Sequence, residues 1–173
     1  MTQAFSYCHS LKNVILPSTL CVMGDLVFRG CSSLEELDFP SPALNGALER
    51  IGAEVFRDCV SLRRVHLPKT LKKIEANAFA GCSALKNIEL PDSVQQIELL
   101  AFCECTSLTS LFIPKNVEKI EVGAFKGCKN LKRIYCETKF APSDWHESFQ
   151  NCHPDLKIVW GVSREQAKKM ENN

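Results

Sequence analysis

The sequence lacks an excess of either charge and any segment built to enter a membrane. Among its 173 residues, 21 basic side chains nearly balance 20 acidic ones, so the composition favours neither nucleic acid nor an anionic membrane as a partner. No apolar run approaches the ~20 residues that span a bilayer, and the first residues lack the basic and apolar regions of a secretory signal. The sequence as written therefore predicts a cytoplasmic protein without membrane insertion. A secreted or cell-surface location is the alternative if the chain is a fragment.

Signatures of catalysis are also missing. The chain contains no phosphate-binding loop, dinucleotide-binding glycine motif, zinc-protease motif or serine-nucleophile elbow. His66 is predicted to face outward from a strand, and His9 and His153 directly follow cysteines, so all three side chains are expected to point to solvent. Cys103 and Cys105 are too close for the usual zinc-binding pair. The sequence predicts no enzymatic activity, no cofactor and no metal site.

The sequence has a repeat instead. Seven phenylalanines recur at spacings of 23 or 24 residues, with one interval of 28, and a cysteine follows each of them three residues later. A fixed period in the twenties is typical of stacked units that are each too small to bury their own apolar side alone. The phenylalanines are Phe5, Phe28, Phe56, Phe79, Phe102, Phe125 and Phe149, and the cysteines are Cys8, Cys31, Cys59, Cys82, Cys105, Cys128 and Cys152.

A strand is predicted after each cysteine by the pattern L-x-x-[IVL]-x-[LIF]-P. In the fourth copy, Ile88 and Leu90 are expected to point into the core while Asn87 and Glu89 point outward. Pro91 follows at the strand exit, where the missing backbone N–H and the fixed φ of proline are tolerated. Stacking one such strand per coil predicts a parallel sheet along one face.

These features together resemble leucine-rich repeat proteins of the BspA-like type. The pattern [IV]-x-x-x-A-F-x-x-C-x-x-L-x-x-[IL]-x-[LI]-P is read in residues 74–91 and 97–114, and the resemblance covers roughly residues 4–160. It implies a β-rich leucine-rich repeat solenoid of about seven coils of 23 residues, with a parallel sheet on one face. It also implies adhesion or host-interaction roles for secreted relatives.

The end of the chain departs from the repeat. Residues of about 135–162 carry both tryptophans and are predicted to form a capping coil that completes a solenoid over residues 1–162. Ser163 and Gln166 form a predicted capping box for a short helix within the tail, residues 163–173. The first coil shows no comparable cap, so an alternative function is self-association as a homodimer through the N-terminal end.

The seven phased cysteines are predicted to be buried thiols rather than a disulfide framework. Equivalent side chains in a column point the same way, whereas a disulfide requires converging Cβ atoms. Cys21, Cys103 and Cys136 lie outside this phase and are better candidates for exposed or reactive thiols, although ordinary packing is favoured for them as well. A cysteine-dependent enzyme built on one of them is a further, less favoured hypothesis.

The outward residues of the strands form the predicted binding surface for a protein or glycan partner. Apolar side chains at three outward positions, with an arginine nearby, are typical of the anchors of protein interfaces. Ordinary cross-strand aromatic pairing on a half-wet sheet is the alternative interpretation. The candidate binding residues are Ile15, Arg64, His66, Glu89, Phe112, Arg133 and Tyr135.

The interval of 28 residues contains an insertion within residues 40–51. Its proline, asparagine and glycine favour a turn, so it is predicted to protrude from one edge of the solenoid. A tolerated insertion is favoured over a binding loop.

Overall fold

A solenoid of stacked coils is formed by the residues that the computed structural model describes, namely 2–39, 48–141 and 145–171. Two rows of short parallel strands run along it. The first row, called the face sheet below, consists of two separately hydrogen-bonded parts. One part pairs β1 (Glu36–Asp38) with β3 (Arg64–His66), and the other pairs β6 (Ser110–Ile113), β8 (Arg133–Cys136) and β9 (Lys157–Trp160). The second row consists of β2 (Arg50–Ile51), β4 (Lys73–Ile74), β5 (Gln96–Ile97) and β7 (Lys119–Ile120). A 3-10 helix (Trp145–Phe149) and α1 (Arg164–Glu171) complete the described elements.

The strands pair in parallel and in the register of the repeat. Ile74 lies beside Ile97, 23 positions later, and Leu37 lies beside Val65, 28 positions later. The insertion is therefore absorbed between β1 and β2 without a shift in either row. Its own predicted protrusion, residues 40–47, falls outside the described residues.

The predicted parallel-sheet solenoid is confirmed, but it has about five turns rather than seven coils. Described residues 2–22 form no strand, and Met23 makes a single bridge to Ile51. In the last coil, the residues that lead into Phe149 form a 3-10 helix. The strand predicted at Ile88 and Leu90 is also absent, although both side chains are buried as expected.

The second row was not predicted. It is marked in sequence by one isoleucine per coil, preceded by a polar residue, and a two-residue strand is too short to show alternation. Its four isoleucines are fully buried: Ile51, Ile74, Ile97 and Ile120.

The seven phenylalanines form a continuous stack through the core. The Phe79 and Phe102 ring centroids lie 5.1 Å apart with parallel planes, and the other neighbours are similar. Such spacing is typical of favourable offset aromatic stacking. Phe5 at the first coil is 47% exposed, whereas the central members are fully buried. The column of phenylalanines predicted from the repeat is confirmed.

The turn around each phenylalanine joins neighbouring coils through alternating backbone hydrogen bonds. In the fourth copy, Asn77 and Gly81 adopt left-handed φ values of 55° and 76°, on either side of Phe79. The backbone N–H groups of residues 77, 79 and 81 consequently point along the solenoid and donate to carbonyl oxygens of residues 99, 101 and 103, at 3.0, 2.7 and 2.8 Å. The turn therefore extends as a hydrogen-bonded ladder without being a strand.

The cysteine column completes this turn. The Cys82 thiol donates to the carbonyl oxygen of Phe56 at 3.1 Å, and Cys105 donates to that of Phe79 at 3.3 Å. Five of the seven phased cysteines are fully buried, as predicted, while Cys8 at the first coil is exposed and Cys152 is half-buried. The thiols are therefore both packing groups and inter-coil donors.

The three unphased cysteines differ from one another. Cys21 is exposed, as expected. Cys136 is fully buried on β8, and burial raises its pKa to about 12, so the favoured interpretation of ordinary packing holds for it. Cys103 is partly buried, and burial also raises its pKa. Raised pKa values disfavour the thiolate that nucleophilic chemistry requires.

Replacement of Phe102 by Ala should lower the free energy of unfolding by ~3–5 kcal/mol, because a fully buried ring is removed from the centre of the stack. Phe5→Ala is the matched control from the exposed end of the same stack and should cost less. Urea unfolding of both variants measures the difference. A loss below ~1 kcal/mol for Phe102→Ala would show that the buried ring contributes little to stability and would contradict the prediction.

Stability should fall as pH rises above the ordinary thiol pKa of ~8.5. Burial, and secondarily the neighbouring thiols of the column, raise the pKa of Cys59 to about 12 and that of Cys82 well above its usual range. Native thiols therefore stay protonated while unfolded ones ionise, which removes ~1.4 kcal/mol per buried thiol and pH unit.

Urea unfolding between about pH 7.5 and pH 9.5, in reductant, measures this dependence. Cys82→Ala should show a smaller decrease with pH than the wild-type protein. An unchanged decrease in this variant would show that other groups cause it.

Candidate functional site

The open part of the face sheet presents two pairs of polar side chains on β1 and β3. Glu36 lies beside Arg64 and forms an ion pair with it, and Asp38 lies beside His66, with 2.5 Å between its Oδ1 and the imidazole Nδ1. The side chains of Asp38, Arg64 and His66 are more than half exposed, and that of Glu36 is 49% exposed. Exposed pairs of this kind contribute ~0–1 kcal/mol, so their arrangement sets the surface pattern more than the stability.

An apolar side chain stands beside these charges on the first coil. Ile15 is 98% exposed. It borders a shallow groove of about 370 Å³ that Glu36 and Asp38 also line. The open face, defined as Ile15, Glu36, Asp38, Arg64 and His66, therefore combines one apolar contact with charges of both signs.

The other end of the face sheet is covered by α1. Tyr135 is only 2% exposed, because it packs against Val162 and Ala167, with Phe112 partly buried beside them. The prediction that the Tyr135 side chain points freely into solvent is therefore wrong. The contact was not visible in the repeat, since it joins β8 to a segment outside the array. This covered face is defined as Glu89, Asp92, Phe112 and Tyr135.

The start of α1 is fixed by the predicted capping box. The Gln166 side-chain oxygen accepts from the Ser163 backbone N–H at 2.8 Å, and the Gln166 N–H donates to Ser163 Oγ at 3.3 Å. The helix runs from Arg164 to Glu171, within the predicted range. Gly161 precedes the box with a φ of 71°, a left-handed conformation that directs the chain back over the sheet.

Basic side chains of α1 attach it to the covered face. The guanidinium of Arg164 donates to the Leu90 carbonyl oxygen at 2.8 Å and to Asp92 Oδ1 at 2.7 Å. It also lies 4.5 Å above the centre of the Phe112 ring. Lys168, one turn later, pairs with Glu89 at 3.2 Å. Among the predicted site residues, Glu89 and Phe112 are thus already engaged within the molecule.

A groove of about 490 Å³ connects the open and covered faces. His66 and Lys69 line it from one side, and Glu89, Asp92 and Arg164 line it from the other. Arg133, the remaining predicted residue, stays exposed beside a separate shallow groove near Glu171. The predicted site residues therefore divide into an open group, Ile15, Arg64 and His66, and a group beneath or beside α1.

Two further observations concern the described residues. No group of three or more metal-ligating side chains comes together among residues 2–39, 48–141 and 145–171. Within the same ranges, no helix has the length and apolar character needed to cross a membrane.

The repeat and its folding agree with one family of known proteins. The model of the BspA type leucine rich repeat region, in six copies, matches residues 1–46 and 41–155. The chain belongs to the BspA-type leucine-rich repeat family. Solenoids of this kind are commonly protein-interaction modules.

Solved structures of bacterial proteins share this fold. A leucine-rich repeat protein from Bacteroides ovatus is 27% identical to this chain, with a TM-score of 0.79. The match covers 94% of this chain but only 39% of that protein. A leucine-rich repeat protein of T. pallidum is 25% identical, with a TM-score of 0.68, covering 92% of this chain and 81% of its own. A leucine rich cell surface protein from Faecalibacterium prausnitzii, at 23% identity and a TM-score of 0.64, covers 96% of this chain and 59% of its own and shows the fold alone. No curated protein sequence matches the chain significantly.

Proposed function

We propose that this BspA-type chain is a non-enzymatic interaction module that binds a protein or glycan partner through its open face. The observation that carries the proposal is the nearly complete exposure of Ile15 beside Glu36 and Asp38, which in turn lie beside Arg64 and His66. A solenoid needs no exposed apolar side chain beside its sheet for its own packing. Such a side chain next to charges of both signs has the composition of an interface rather than of an ordinary solvated surface.

The polar pairs add specificity to this surface. Arg64 presents a planar guanidinium and His66 an imidazole, and their acidic neighbours on β1 hold both side chains over the sheet. Arginine is suited to bidentate contacts with carboxylates of a partner and to stacking on aromatic or sugar rings. The groove beside His66 provides a place for a protruding side chain or sugar.

Partner binding should depend on the open face and not on charge in general. The purified protein is screened on arrays of purified cell-surface proteins and glycans, and the ligands found are then titrated with variants. Arg64→Glu and Ile15→Asp should each weaken binding at least ~10-fold, since loss of an interface anchor typically costs more than 1 kcal/mol. Lys129→Glu, an exposed charge reversal in the turn after Cys128, is the matched control and should bind normally. A ligand that tolerates both open-face variants would show that the face is not its site.

Self-association through the first coil is the second candidate, favoured by a separate observation. One face of the Phe5 ring stacks on Phe28, while Phe5 and Tyr7 are 47% and 55% exposed. Another copy could continue the stack by placing its own ring against the free side of Phe5.

Molar mass measured by light scattering tests this second candidate. A dimer should persist in reductant and become a monomer on substitution of Phe5→Asp. A monomer at all concentrations would exclude the candidate, and a dimer lost in reductant would instead indicate a disulfide through exposed Cys8 or Cys21.

A further inference from the structure

The sequence of the repeat explains why the Leu90 carbonyl oxygen is free to accept a hydrogen bond from Arg164. At the next coil, the Ile113 carbonyl oxygen accepts from the backbone N–H of Glu137 at 3.0 Å. The residue in the place of Glu137 one repeat earlier is Pro114, which has no N–H to offer to Leu90. The Leu90 carbonyl is therefore left available to a side-chain donor, and Arg164 supplies it at 2.8 Å.

The covered face recognises a short chemical pattern in α1. Arg164 meets a carbonyl, a carboxylate and an aromatic ring, and Lys168 meets the carboxylate of Glu89. Between them Ala167, on the same side of the helix, is small enough to pack onto Tyr135. The required pattern is an arginine, a small residue three positions after it and a lysine four positions after it, as in Arg164, Ala167 and Lys168. Residues at these spacings lie on one face of a helix.

The fit of α1 to this face is loose. Ala167 alone among the described residues of the helix is buried, and a gap of about 200 Å³ lies between α1 and the side chains of Asn87, Glu89 and Ser110. The ion pairs are largely exposed to solvent: Asp92 is 76% and Glu89 73% exposed at the side chain. A helix of eight residues has little stability of its own, so these contacts decide whether it stays on the sheet.

We propose that the covered face is a recognition site for a basic helical segment of a partner protein, and that α1 is its built-in competitor. The charges of Glu89 and Asp92 complement a basic helix, and α1 itself shows the mode of binding. Tethering through Gly161 gives α1 a millimolar-range effective concentration, so an outside helix must be better matched than α1, or α1 must be released first. This site uses residues distinct from the open face, so either proposal can fail without the other.

The probe for the test is a fluorescent peptide with the sequence of residues 163–171, acetylated and amidated at its ends. A lactam between the side chains at positions 165 and 169, which are exposed in α1, holds it helical. The protein is the full chain in two forms, the wild type and an Arg164→Glu, Lys168→Glu double variant whose own helix is repelled from Glu89 and Asp92. Circular dichroism and the melting temperature establish that the solenoid of the double variant remains folded.

The peptide should bind the double variant at least ~10-fold more tightly than the wild type, because the resident competitor is removed. Binding should weaken with added salt and when Asp92→Ala is added to the double variant, a change that offers the resident Glu side chains no new partner. A control peptide with glutamate in place of the arginine should not bind. Equal affinity for the two forms, or indifference to Asp92→Ala, would overturn the proposal and leave α1 as a structural cap.

A second measurement uses the wild-type protein alone, in case the double variant does not fold. Excess peptide should displace α1 and raise hydrogen exchange at the backbone amides of residues 164–171. The amides of the central solenoid, such as those of residues 77–81, should keep their protection. Unchanged exchange in α1 at saturating peptide would overturn the proposal.

Discussion

The hydrogen bonds that link each phenylalanine turn to the next coil are the constraint on which the rest of the solenoid depends. Left-handed residues on both sides of the ring, such as Asn77 and Gly81, aim every second N–H along the axis. The ring then has to stack on its neighbour, and the cysteine thiol has to reach the preceding carbonyl. Because each coil is attached in this way, stability is approximately a sum over neighbouring coils. The outward surface is consequently free to vary without loss of the fold.

Sequence periodicity predicts what is repeated and little else. The columns of Phe102 and Cys105, the burial of Ile88 and the outward direction of His66 follow from phase alone and are found in the structure. The second row of strands around Ile97 was not predicted, since two residues carry no alternation. The smaller number of turns was not predicted either, because a repeat in sequence does not reveal in which coils the backbone pairs as a strand.

The candidate site was predictable in its open half and not in its covered half. Arg64 and His66 face outward because their position in the strand requires it. Tyr135 occupies the same kind of position, yet it is buried by Ala167, more than thirty positions further along the chain. The capping box of Ser163 and Gln166 indicates that a helix begins, but a local motif holds no information on which surface that helix will contact. Only the three-dimensional path through Gly161 determines it.

The insertion between β1 and β2 has a consequence for how such chains can change. Register is the same on both sides of it, with Leu37 beside Val65 and Ile51 beside Ile74. Lengthening a loop by a few residues adds only a small closure entropy, on the order of a few tenths of a kcal/mol. The corner after a face strand is therefore a natural graft point, where a foreign epitope or binding loop can be displayed while the coils above and below remain unchanged.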